Sequence, residues 1–401
     1  MPASPVGALR SAEAGPEDVP YNRCASMSET ATAIVGAPAQ PRPAETRLFS
    51  LDVFRGATIA AMIVVNNQSS EMAFWPLRHA AWNGWTPTDL VFPFFLFIVG
   101  VSLVFSFEGR QERGASRGDL LRHTVRRSVV LFAIGLALNG LASLDLATWR
   151  IPGVLQRIAL AYCAAALIAL YFTTRARVLW IAALLAGYWL LMRFVPVPGY
   201  GLPGREIPLL HPDANLVAYL DRKFMLGHLW ETTRDPEGIL STLPAIATTL
   251  CGVLTGAWLR SVRSAQQKLV GMLQYGGAGV IAGELWGIWF PINKKLWTSS
   301  YVLLTAGLAL ICLALCYWMT DMKRHRGGWN KPFLILGSNA ITAYVLSELI
   351  GGALSWRGYV FLRDLASFSP AVASLLHSFV VLGLCFVPVW VMYRKRVFLK
   401  I

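Results

Sequence analysis

His79–Gly100 reads HAAWNGWTPTDLVFPFFLFIVG, a polar, tryptophan-rich loop that runs without a break into an apolar span. That seam decides the fold. The apolar part is continuous rather than alternating and suits a membrane-crossing helix. Pro87 and Thr88 open that helix, and Asp89 falls in its first turn, where the dipole favours a carboxylate. His79 stands just outside, where an imidazole beside a bilayer can serve as base or nucleophile near neutral pH. The plainer alternative is an interfacial histidine within a tryptophan belt.

The composition agrees with the seam. A chain of 401 residues that is 55% hydrophobic and only 14% charged is too apolar for an ordinary soluble protein and reads as a polytopic, all-α membrane bundle. Its net charge of +14 lies in short clusters between apolar runs. That distribution fits lipid headgroups and the positive-inside bias, not a nucleic-acid face. Cys163, Cys251, Cys312, Cys316 and Cys385 lie in apolar runs and Cys24 in the N-terminal region, so neither a disulfide framework nor a metal site is expected.

Residues 1–46, rich in Ala, Pro, Ser and Glu, read as a disordered cytoplasmic tail in which Met27 is an alternative start. Ten apolar stretches follow, at 51–67, 87–107, 124–142, 152–172, 177–195, 238–259, 268–290, 300–319, 332–354 and 370–393. Each is near the length that crosses the hydrocarbon core. With the N-terminus inside, the inner loops carry nineteen basic residues and the outer loops ten, four of those in the long loop 196–237. Both termini are therefore expected in the cytoplasm, with His79 and the segment PINKKLW at 291–297 on the far side.

Charged groups within spans are costly, about 3 kcal/mol each at mid-bilayer, and usually face a bundle interior. Asp89, Arg157, Glu284, Glu348 and His377 all fall near the outer ends of their spans, as do Asn66, Asn67, Asp235 and Glu237. A shared polar pocket at the level of His79 is the expectation. Snorkelling toward headgroups is the alternative for any one of them. Arg157 needs an anion, which could be Asp89, Glu284 or a ligand phosphate. Lys294 and Lys295 read as headgroup contacts. On the inner side Asp52 and Arg55 are one turn apart, and GSNA at 337–340 places Ser338 and Asn339 inside a span.

RLFSLDVFRG, HAAWNGWTPTDLVFP, IPGVLQRI, DPEGIL, PINKKLWTSSY and YRKRVFLKI together resemble the heparan-alpha-glucosaminide N-acetyltransferase family and its NagX-type bacterial relatives, over about residues 46–401. The resemblance implies one transmembrane acyltransferase domain, 47–401, in a bacterial cytoplasmic membrane. It would move acetyl from cytosolic acetyl-CoA to an amino sugar or glycan on the far side, without a metal, as a single chain or a homodimer among membrane lipids. It implies that His79 is the essential histidine and that Asn66 and Arg157 are functional. From the residues themselves, His79 is general base or acetyl carrier, Asp89 the nearest group to orient it and Asn66 the donor to the oxyanion. Arg157 and Arg55 are the candidate contacts to the donor's phosphates, or else structural ion-pair partners, and Trp82, Asn83, Glu237 and Glu284 the residues expected around the acceptor. The competing reading is a transporter for a sugar or sugar derivative, whose site would lie nearer the midplane on broken helices.

Overall fold

The computed structural model describes residues 48–68, 73–141, 145–365 and 368–399. The expected N-terminal tail lies outside them. Among the described residues twelve α-helices follow one another: α1 (Phe49–Asn66), α2 (Val91–Gln111), α3 (Arg117–Leu141), α4 (Val154–Tyr171), α5 (Thr174–Phe194), α6 (Leu216–Met225), α7 (Thr242–Arg260), α8 (Ala265–Gly287), α9 (Ser299–Tyr317), α10 (Lys331–Ser338), α11 (Ala340–Val360) and α12 (Pro370–Arg394). The described residues contain no strand, only isolated bridges such as Gly84 with Asn293. In a bilayer this follows from backbone chemistry, because only a helix satisfies its own N–H and C=O groups.

Among the described residues eight helices are long and apolar enough to cross a membrane, and α10 with α11 makes a ninth if that pair, bent by 81°, is one span. Ten were expected. The stretch at 268–290 does form a helix, α8, but with its glycines and its polar residues Gln266, Gln267, Lys268 and Glu284 it is not among the eight. It is held instead by close backbone approach: a Cβ on Gly276 would come within 3.0 Å of the Gly307 carbonyl on α9, and one on Gly283 within 2.8 Å of that of Ser300. Small residues give dispersion contact where the hydrophobic effect gives none. The α2 and α7 pair repeats the device, with Gly252 seated on the Phe97 carbonyl.

The main core joins α1, α2, α4, α7 and α9 through Ile59, Ile63, Leu96, Tyr162, Leu250 and Tyr301. A smaller one, around Tyr188, Met192, Val217 and Phe290, fixes the long loop and its helix α6 over one end of the bundle. The ends that meet there are the starts of α2, α4, α7 and α9.

Candidate functional site

Asp89 organises the site. Pro87–Leu90 forms a tight 3₁₀ turn leading into α2, closed by a capping box in which Thr86 and Asp89 bond each other's backbone. One carboxylate oxygen, Oδ2, accepts from Ala80 N at 3.0 Å, Thr86 N at 3.0 Å and Thr86 Oγ1 at 3.1 Å. The other, Oδ1, lies 2.7 Å from His79 Nδ1. The Asp89 side chain is 1% exposed and that of His79 49%. A buried carboxylate facing Nδ1 selects the tautomer with the proton there, which leaves Nε2 as the open, proton-accepting nitrogen. Tyr301 of α9 donates its hydroxyl to the Asp89 carbonyl from below.

The third member is Lys294, a residue whose outer-loop position alone suggests a headgroup contact. Its Nζ lies 3.5 Å from Asp89 Oδ1, 2.9 Å from His79 Nδ1 and 3.4 Å from Nε2. Its Nζ is within reach of both ring nitrogens and nearer to Nδ1, on the Asp89 side. Lys294 is thus a cation held against the imidazole beside Asp89. Burial pushes its ammonium below the usual lysine range, against the pull of Asp89 and Glu237. Its loop is stapled to the histidine loop: Gly84 N donates to Ile292 O at 2.8 Å, and Asn293 Nδ2 to Asn83 Oδ1 at 3.2 Å. Two residues past Lys295, Trp297 has φ of 53°, a left-handed conformation that a bulky side chain adopts only under constraint.

The expected shared pocket resolves into several bonded groups. Arg157, 1% exposed, donates from Nη2 to Ser241 Oγ at 2.5 Å and to Gly238 O at 3.3 Å, with its guanidinium 5.1 Å from the Trp297 ring. Asp89 and Glu284 are not its hydrogen-bond partners: a hydroxyl and a backbone oxygen at the start of α7 engage Nη2, Nε and Nη1 are buried without a partner among the described residues, and Glu237, Asp235 and Asp221 supply the surrounding negative charge. Arg150 holds Asp235 through Nε at 2.8 Å and Nη2 at 2.7 Å, and Glu237 at 2.6 Å. Asp221 on α6 accepts from Ile239 N at 2.9 Å, and burial pushes its carboxyl up to about 6. Trp82 donates to Leu210 O at 2.7 Å, with Arg234 5.0 Å from its ring. Glu284 is exposed and accepts from Trp85 Nε1 at 3.3 Å. Asn66 bonds the Glu348 carboxyl, and His377 meets the Asn67 carbonyl at 3.2 Å.

A second feature lies along α2. A cavity of about 330 Å³ is lined by Arg55, Arg110, His123 and Arg127, with Ser102 and Asn339 among its polar neighbours. Arg55 Nη2 donates to Ser102 Oγ at 2.7 Å and Nη1 pairs with Asp52 at 3.1 Å. Arg127 stacks 4.8 Å from the Tyr162 ring, and its Nε has no hydrogen-bond partner among the described residues. Asn339, at the break between α10 and α11, donates to Val397 O at 3.1 Å and accepts from Leu399 N at 2.9 Å. Arg157 is not on this wall, although its neighbours Leu155 and Ile158 are. From sequence Arg110 and Arg127 count only toward the nineteen inner-loop basic residues, and His123 carries no reading. The i, i+4 spacing of His123 and Arg127 was the signal that they share a face. Among the described residues no three His, Cys, Asp or Glu side chains converge to hold a metal ion.

Fold and site together define an integral membrane protein of the polytopic helical class, with an acid-oriented imidazole at one end of the bundle and a cationic cavity beside the same helix. The family model for the heparan-alpha-glucosaminide N-acetyltransferase catalytic region matches residues 47–278. The chain belongs to that family. It is 30% identical over 420 residues to the mouse heparan-alpha-glucosaminide N-acetyltransferase, and 31% identical over 412 residues to the human protein. The alignments cover 91% and 88% of this chain but 62% and 60% of those relatives, so the chain spans about three fifths of their length.

Proposed function

We propose that this protein is a transmembrane acetyltransferase that takes acetyl from cytosolic acetyl-CoA and delivers it to the amine of an amino sugar or glycan on the other face. The observation that carries the reading is the placement of both features on α2. The cavity wall includes Phe95 and Arg110, fifteen residues apart and roughly 22 Å by helical rise. Phe95 is six residues, roughly 9 Å, from Asp89. A donor lying along this helix has its phosphates among Arg55, Arg110, His123 and Arg127 and its thioester toward His79. The wall suits an anionic ligand: three guanidiniums, an unpartnered N–H, and a volume in the range of small-molecule pockets.

At the far end, Asp89 fixes the imidazole and leaves Nε2 to accept a proton. The acceptor's amine nitrogen forms a bond to the acetyl carbon, its proton passes to Nε2, the C–S bond breaks, and the thiolate recovers the proton as free CoA. If the imidazole itself takes the acetyl first, the same Nε2 is the atom that bonds to carbon. Asn66, expected at the oxyanion, is engaged by Glu348. The names of the mammalian relatives suggest a glucosaminide acceptor, and the Trp82, Asn83 and Arg234 rim beside His79 offers a ring-stacking face with hydrogen-bonding neighbours.

The test is acetyl transfer by the purified, lipid-reconstituted chain, followed as CoA thiol release and as N-acetyl product with glucosamine and a panel of aminoglycans. H79A should abolish product while keeping the melting temperature of the wild type. Wild-type protein that releases no thiol with any acceptor, or H79A that turns over normally, overturns the proposal.

A further inference from the structure

We propose that Lys294 is a catalytic residue whose ammonium donates to the oxyanion formed at the acetyl carbonyl. The inference rests on the acetyltransfer reading above and adds to it the electrophilic half of the site.

The geometry supplies the reason. A nucleophile hydrogen-bonded to His79 Nε2 brings its target carbonyl alongside the imidazole, where the carbonyl oxygen can turn toward Lys294 Nζ, 3.4 Å from Nε2 and 2.9 Å from Nδ1. Attack on the thioester moves an electron pair onto the carbonyl oxygen. An ammonium in place before the reaction needs no reorganisation to receive that charge. Lys294 carries three N–H donors. Asp89 Oδ1, at 3.5 Å, is the only acceptor oxygen it reaches among the described interactions, so N–H groups remain for a substrate oxygen. When the tetrahedral intermediate collapses, the C–S bond breaks, the oxygen returns to a carbonyl, and the ammonium keeps its proton throughout.

The loop is built to hold that point. Asn293 N donates to Thr298 Oγ1 at 3.0 Å, Leu296 N donates to Asn293 Oδ1 at 2.9 Å, and Tyr188 donates to Leu296 O at 2.6 Å. These bonds and the left-handed Trp297 fix the backbone on both sides of Lys294. Lys295 points elsewhere, to Glu231 at 3.5 Å and the Trp82 ring. The titratable groups facing Lys294 from the packed elements are Asp89 and His79 from the histidine loop, Glu237 from the turn before α7, and Lys295 from its own loop.

The experiment compares wild type, K294M and K294R in the same reconstituted assay, with kcat, KM for acetyl-CoA and KM for glucosamine measured from pH 6 to 10. K294M should lose about 100-fold or more in kcat, with each KM changed less than threefold and an unchanged melting temperature. K294R keeps a cation and should recover part of the loss. Wild-type kcat should fall on an alkaline limb as Lys294 deprotonates, and that limb should move beyond the range in K294R. A K294M kcat within threefold of wild type overturns the assignment. So does a loss expressed only in KM, or an alkaline limb unmoved in K294R even where K294M is too unstable to assay. Wild type without turnover would instead sink the acetyltransfer reading itself.

Discussion

Replacing Asp89 by asparagine separates orientation from architecture. The amide oxygen can stay where Oδ2 is and keep the donors Ala80 N, Thr86 N and Thr86 Oγ1. Each of those bonds then loses its charge assistance, about 1 kcal/mol apiece, or about 3 kcal/mol in all. That is affordable against a typical stability of about 5–15 kcal/mol. The chemical consequence is larger. The amide NH₂ must face His79 Nδ1 across 2.7 Å, and two donors cannot meet there, so the imidazole proton moves to Nε2. The lone pair that accepts the amine's proton is then gone. In serine proteases the same carboxylate-to-amide change costs about 10⁴ in kcat with geometry intact, which is about 5 kcal/mol of barrier. D89N should therefore fold, melt a few degrees lower, bind acetyl-CoA normally and turn over about 10⁴-fold more slowly. Thiol release gives the rate, and ¹⁵N shifts of labelled histidine give the tautomer. A D89N protein within tenfold of wild-type kcat, or one that keeps the Nδ1–H tautomer, would refute the reasoning.

Three further outcomes follow from the geometry. R150A strands Asp235 and Glu237 in a buried setting and should cost about 3–5 kcal/mol of stability, read as a lowered melting temperature that D235N combined with R150A partly restores. R127A removes a cationic wall group from the cavity and should raise KM for acetyl-CoA about tenfold, worth about 1.4 kcal/mol, while leaving KM for the acceptor unchanged. Asp221 has its folded carboxyl raised from 3.8 to about 6, so the folded chain holds a proton that the unfolded chain releases. This contribution is fully present below about pH 4 and lost as the pH rises through 6. D221N should accordingly stabilise the protein by about 1–3 kcal/mol at pH 7.5 and flatten melting temperature against pH between 4 and 7; unchanged pH dependence counts against it.

The helical bundle was legible because a bilayer asks one thing of a sequence, a run of about 20 apolar residues. α8 tested the limit of that signal. Its helix is plain in the structure but its attachment depends on glycines meeting α9 backbone, a property of a pair and not of a run. The His79 and Asp89 pair was legible because both lie within one loop and its turn. Lys294 was not, since its partners are more than two hundred positions away and two adjacent lysines in an outer loop carry no mark of which one turns inward. Arg157 showed the converse: the cost of burying it was readable, but its partners were not, since the fold brings Ser241 and Gly238 to one nitrogen and the face of Trp297 to the guanidinium from segments far along the chain. Arg127 and His123 lay hidden in a cluster whose charge count served topology alone.

One further consequence comes from the aromatic stack beneath Asp89, where Phe92 meets Trp297 edge-on at 5.1 Å and Trp297 meets Tyr301 at 5.4 Å. Moving one ion through a membrane under tension of 100 mV releases about 2.3 kcal/mol, so a wet thread through the bundle would discharge a gradient. These three rings, packed edge to face under the turn that carries Asp89, give that side of the imidazole a floor of low dielectric, a poor path for protons and metal ions.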